Sequence, residues 1–140
     1  MPLKLLLMTI DLFISGQPAD RQELLKALHQ VITQNDKTIT ASVGPMMGKE
    51  MILYHAPGTF KYALASVKNY MSLHVLPIYG SSPLYEKYKK LLPLAAFQKG
   101  CINFKSADEM PLAIATKLIS DCAPIDLRKM REDYLKAKKK

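Results

Sequence analysis

Three histidines, two cysteines and a group of tyrosines and lysines are the residues of this 140-residue chain with chemistry to offer. His55 and His74 fall in strand-like stretches and His29 in a helical one. No pair has the i, i+4 or H-x-H spacing of a preformed metal site, so no metal is assigned. A histidine on a half-buried sheet is ordinarily held by hydrogen bonds, and an enzyme built on this chain would use His74 or His55 as general base. Cys101 and Cys122 lack metal-motif spacing and any neighbourhood that depresses a thiol pKa, so both read as buried thiols of a reducing compartment. Lys99 precedes Cys101 by two residues and would share its face of a strand. With no G-x-S-x-G elbow, P-loop or G-x-G-x-x-G, no catalytic residue and no cofactor is assigned.

The richest set is Tyr54, Lys61, Tyr62, His74, Tyr79 and Lys99, with Tyr70 beside it. Aromatic and basic side chains near strand ends would line a small pocket for an anionic or aromatic ligand, with apolar walls and a few polar handles. Tyrosine is equally a strand former that buries its ring and keeps its hydroxyl wet. Met46, Met47 and Met51 cluster beside Gly44 and Gly48. Thioethers suit an adaptable surface or a soft metal, and more often fill gaps in a core.

The net charge of +8 is concentrated at the end of the chain, where residues 128–140 carry seven basic and two acidic side chains. Lys136, Lys138, Lys139 and Lys140, together with Lys87, Lys89 and Lys90, would form a polyanion or nucleic-acid contact. Lysines at a helix C-terminus also suit the macrodipole and keep a chain soluble. The apolar start, Met1 to Ile10, stops at Asp11 without a cleavage-site pattern. No stretch reaches the roughly 18 apolar residues that span a bilayer, so a soluble cytoplasmic protein without membrane contact is expected. A sheet edge or the Leu5–Met8 segment would serve a homodimer.

The elements that must position these residues read as one domain over 1–140, with a core at about 9–123 and a basic helix and tail at 124–140. Thr9 to Ser15 suggests a short helix ended by Gly16. Leu24, Leu25, Leu28, Val31 and Ile32 give a buried helical stripe that exits at Asn35-Asp36-Lys37. Strands follow at 38–43, broken by Gly44-Pro45, then at 51–56, at 59–66 after the Pro57-Gly58 turn, and at 70–76. In the last, Met71, Leu73 and Val75 share one face, with Tyr70, Ser72 and His74 opposite, which predicts a sheet with one face on the core. Ser82 as N-cap and Pro83 at N1 open a helix lined by Leu84, Tyr88 and Leu91. A strand from Gly100 to Lys105 leads, through an acidic turn and Pro111, to a helix with Ala115, Leu118, Ile119 and Cys122 inward. Asp126 caps a last helix in which Leu127, Met130 and Tyr134 face inward. Segregated runs of this kind predict an α+β fold, a mostly antiparallel sheet of about four or five strands covered by helices.

Lys99-Gly-Cys-Ile-Asn-Phe-Lys followed by Met110-Pro-Leu resembles the C-terminal half of the YdhG-like family (domain-of-unknown-function family 1801), whose members pair a "KGTIRF"-like strand with a "PLP"-like helix start. Asp11 to Pro18 with Arg21, Gly44 to Ile52, Tyr54, Gly58 to Tyr62, and Tyr70 to Ile78 are similar to further family segments in the same order. The resemblance spans residues 9 to 123. It implies an α+β domain and, for a few members, a role in iron handling, with no agreed catalytic residues to carry over. Iron delivery wants clustered carboxylates. Here 12 acidic residues are scattered against 20 basic ones. The expected function is therefore a non-enzymatic binding domain with a small pocket between sheet and helices.

Overall fold

A computed structural model describes residues 9–46, 48–79, 81–98 and 100–138, with the side chains at 131, 133, 134, 137 and 138 left out. Lys99, Lys139, Lys140, Met47 and the Leu5–Met8 segment thus lie outside the described residues, as do the side chains of Lys138 and Tyr134. The described chain runs α1 (Ile10–Ser15), α2 (Ala19–Asn35), β1 (Thr40–Met46), β2 (Lys49–Ala56), β3 (Thr59–Ser66) and β4 (Met71–Val75). It continues through α3 (Leu76–Tyr79), α4 (Ser82–Leu91), β5 (Ala96–Gln98), β6 (Cys101–Phe104), α5 (Leu112–Cys122) and α6 (Leu127–Lys138). The strands form one antiparallel sheet in the order β1-β2-β3-β4-β6-β5.

Local chemistry accounts for these boundaries. Thr9 caps α1, its hydroxyl accepting from the Leu12 N–H. Gly48 and Gly58 take φ of 79° and 73°, the left-handed backbone that tight hairpin turns demand. Asp126 Oδ1 accepts from the Arg128 and Lys129 amides and caps α6. Arg21 ties α2 to the β3–β4 turn by donating to Ser66 Oγ and to the carbonyls of Val67, Lys68 and Tyr70.

Four expectations need correction. The sheet has six strands, because residues 96–98, too short to show alternation, are recruited by pairing with β6. Gly44-Pro45 does not end β1, which runs to Met46. It is an edge strand, where the missing proline N–H breaks no ladder. Strand β4 stops at Val75, and Leu76 begins one helical turn instead. The N-cap of α4 is Ser81, which moves Pro83 one position into the helix.

The main core lies on one face of the sheet. Ile52, Tyr54, Tyr62, Leu64, Met71, Leu73, Val75, Ile102 and Phe104 meet the buried stripes Leu25, Leu28 and Ile32 of α2 and Ala115, Leu118, Ile119 and Cys122 of α5. The opposite face carries a separate cluster made of strand side chains alone. Met51, Leu53, Ala63 and Ala65 are buried there, with Met46 and Phe60 packed against them. The two described methionines of the Gly44–Gly48 region thus fill this second cluster.

Candidate functional site

The second face brings a thiol and an imidazole together. His74 and Cys101 are directly opposed on β4 and β6. The Val75 N–H donates to the Gly100 carbonyl at 2.7 Å. By the alternation of an antiparallel ladder, the adjacent His74–Cys101 pair is therefore non-hydrogen-bonded, the kind whose side chains stand closest. Cys101 Sγ lies 3.2 Å from His74 Nδ1 and 4.0 Å from Nε2. Burial pushes the imidazole pKa below its ordinary value and the Cys101 thiol above its own, so both are neutral at rest. With the ring proton on Nε2, Nδ1 is the nitrogen nearest the thiol and free to accept its proton.

Small neighbours make the surrounding surface concave. His74 and Ser72 are only 8% and 5% exposed although no helix residue joins the apolar cluster of this face. Beside them, His74, Leu76, Tyr79, Gln98, Gly100 and Cys101 line a cavity of about 360 Å³. A second hollow of about 300 Å³ shares His74, Gln98 and Cys101 and runs toward Met51, Ala65, Ser72 and Asn103, with Lys49 and Tyr70 also in its wall. Gly100 permits this shape. A Cβ there would lie 3.1 Å from Tyr79 Cβ and 3.3 Å from the Val75 carbonyl oxygen, so the α3 turn that carries Tyr79 closes onto the strand only over glycine.

The structure divides the sequence-derived candidates. Among the described candidates, His74, Tyr70 and Tyr79 reach the groove, Tyr70 in the second hollow and Tyr79, 64% exposed, at the rim of the first. Tyr54 and Tyr62 point into the main core and are fully buried. The Tyr54 hydroxyl and His29 Nδ1 share a 2.7 Å hydrogen bond. His29 is thus half-buried against the sheet and is held below its ordinary pKa by burial, partly offset by Asp11.

Lys61 is 1% exposed at a β-bulge, the extra residue between the Tyr54–Tyr62 and His55–Phe60 pairs. Its ammonium meets Asp36 Oδ2 at 2.8 Å and donates to the Ala123 carbonyl at 3.1 Å. The Tyr62 hydroxyl donates to the same carboxylate oxygen at 2.8 Å, and Thr38 satisfies Oδ1 with its amide and hydroxyl. Burial alone would raise the Asp36 pKa, but these donors outweigh it and the carboxyl stays below its usual range. Lys61 also lines a cavity of about 250 Å³ between the β2–β3 turn and the α5–α6 turn, with Thr38, Pro57, Ile125, Leu127 and Arg128. Of the two cations that line this cavity, Lys61 is already neutralised by Asp36, and Arg128 stands beside it.

The lysines of α4 are in part engaged. Lys87 Nζ pairs with Asp121 at 2.7 Å, and the Tyr88 hydroxyl donates to the same carboxylate. Lys89 Nζ sits 5.7 Å from the centre of the Tyr85 ring. Lys90 and Lys136 are exposed. Among the described residues, no three histidine, cysteine, aspartate or glutamate side chains converge on a metal position.

Ser72, Gln98 and Asn103 line the groove without any sequence-based expectation of a site, and Cys101, expected to be a buried thiol, is half-buried beside His74. The partnership of Cys101 with His74 depends on β4–β6 pairing across 27 residues, and β5, which brings Gln98, carries no local signal. Fold and site define an α+β domain with a helix-packed sheet face and a grooved second face. No family model matches the chain, and no curated protein or solved structure matches it. No described helix is long and apolar enough to cross a membrane.

Proposed function

We propose that this chain is a cytoplasmic small-molecule-binding domain of YdhG-like type whose ligand seats in the groove over His74 and Cys101. The observation that carries the reading is the combination of a concave, mainly apolar surface with one hydrogen-bonding pair at its centre, the usual composition of a ligand pocket. Ser72, Gln98, Asn103 and Tyr79 add polar handles around it. The ligand class is a compact, flat, largely apolar molecule with one acceptor or donor placed to meet the pair. The order of segments that resembles the YdhG-like family supports a domain of this kind. In the Lys61 cavity Asp36 and the Ala123 carbonyl already occupy the ammonium, which leaves Arg128 as the cation there.

The test uses 8-anilinonaphthalene-1-sulfonate, an anionic probe with a large apolar ring surface, titrated into the folded chain at high salt and followed by fluorescence. Saturable binding that is lost in Ser72→Leu, which fills the groove floor, and retained in Arg128→Ala, at the other cavity, is the expected result. Binding that survives Ser72→Leu and disappears in Arg128→Ala would assign the ligand to the wrong cavity here.

A further inference from the structure

We propose that the groove captures its ligand covalently, Cys101 Sγ adding to the electrophilic carbon of a small activated alkene such as an α,β-unsaturated carbonyl compound, with His74 as the base. The proposal rests on the groove being the ligand site. His74 is nine-tenths buried and lines both hollows, and its imidazole has Cys101 as its only hydrogen-bond partner among the described residues. A thiol held against a neutral imidazole is a nucleophile with its base in place.

The surroundings choose among thiol reactions. An oxyanion hole of backbone N–H groups, the usual device of acyl transfer, is not formed at this pair, because the amides of His74 and Cys101 lie in the plane of the sheet, paired toward β3 and β5. A thiol–disulfide cycle within the chain needs a second cysteine, and Cys122 is fully buried on α5 within the core at the other face of the sheet. Its pKa is pushed up to about 12, chiefly by burial. Conjugate addition needs neither. It needs a nucleophile, a base that can return the proton, and a donor for the carbonyl oxygen, for which the Tyr79 hydroxyl and the Gln98 amide line the same cavity.

The step balances without a further reagent. The thiol proton passes to His74 Nδ1 as the S–C bond forms at the β-carbon. The alkene π electrons shift toward the carbonyl as an enolate. The imidazolium then gives its proton to the α-carbon, and the product is a thioether with His74 neutral again. Nothing is oxidised or reduced and no group leaves. The reverse elimination releases the ligand by the same path.

The experiment is reaction of the full chain with N-ethylmaleimide at pH 7, with Cys101 and Cys122 followed separately by peptide mass spectrometry. Cys101 is expected to react at least about ten-fold faster in the native sequence than in His74→Gln, while Cys122 stays unmodified until urea unfolds the chain. Equal Cys101 rates in the two proteins, or modification of Cys122 ahead of Cys101, would overturn the proposal. Should His74→Gln not fold, the double variant Tyr79→Phe/Gln98→Ala tests the same chemistry from the rim. Its addition to maleimide should slow several-fold while alkylation by iodoacetamide, which forms no enolate, is unchanged; equal slowing of both reagents contradicts the proposal. Probe binding to Cys101→Ala is measured in parallel. Bound probe with a His74-independent Cys101 rate removes the nucleophile and leaves the groove standing, whereas no probe binding to either protein removes the groove itself.

Discussion

Lys61 Nζ and Asp36 Oδ2 meet at 2.8 Å with both side chains closed off from solvent, and the β-bulge at Lys61 makes the contact geometrically possible. The pair links the end of α2 to the middle of β3, and the Tyr62 hydroxyl completes it. Removing one partner of such a pair leaves the other charge buried without compensation. Asp36→Ala should therefore lower stability by about 3–5 kcal/mol in urea denaturation. Lys61→Met should cost less, because Thr38 and Tyr62 still satisfy the carboxylate. A loss below about 1 kcal/mol for Asp36→Ala would mean that the pair is solvated in solution.

Stability should fall in two stages as the solution is acidified. His29 and His74 both have pKa values lowered from 6.5, so the unfolded chain takes up protons before the folded one does. Their contribution is full above about pH 6.5 and declines as pH falls toward the lowered folded values. Asp36, held below 3.8, contributes fully above that value and loses its contribution as pH drops through its folded pKa. Groups near His29 are Asp11, which favours its charged form, and the Tyr54 hydroxyl. Urea midpoints measured between pH 8 and pH 4.5 should decline below pH 6.5, and His29→Gln should flatten that decline. A midpoint independent of pH over this range would contradict the burial of both rings.

Gly100 is the narrowest point of the groove wall. An added Cβ would press on both Tyr79 Cβ and the Val75 carbonyl oxygen, and the second of these is backbone. Gly100→Ala should cost about 1–3 kcal/mol through overpacking and should weaken probe binding by displacing the α3 turn. A variant of native stability and native probe affinity would show that the turn moves freely.

Arg21 gathers four acceptors from residues 66–70, three of them backbone carbonyls. Charge-assisted hydrogen bonds of this sort contribute more than neutral ones. Arg21→Ala should cost about 2 kcal/mol and raise hydrogen exchange locally in the β3–β4 turn. Lysine at this position, with a single ammonium, should recover only part of the loss. Uniform exchange across the sheet in Arg21→Ala would point to a global effect instead.

What could be read directly from the residues was local. The Pro57-Gly58 turn, the Thr9 and Gly16 bounds of α1, the Asp126 cap and the buried stripes of α2 and α5 all rest on interactions within a few residues. What escaped depends on distant pairing. Pro45 reads as a strand breaker until β1 is known to lie at the sheet edge. Residues 96–98 have no pattern of their own and become a strand only beside β6. Lys61 reads as a pocket lysine because a one-residue bulge is invisible in alternation, and that bulge turns it to Asp36. Alternation alone sets His74 opposite Leu73 and Val75, but its contact with Cys101 depends on the β4–β6 register.

The most direct measurement is backbone amide shift mapping of the isotopically labelled chain during titration with 8-anilinonaphthalene-1-sulfonate. Saturable shifts centred on Ser72, His74, Gln98, Cys101 and Asn103 are the result this account predicts. Shifts centred on Thr38, Ile125 and Arg128, or an absence of saturable shifts anywhere, would contradict the groove over His74 and Cys101 as the ligand site.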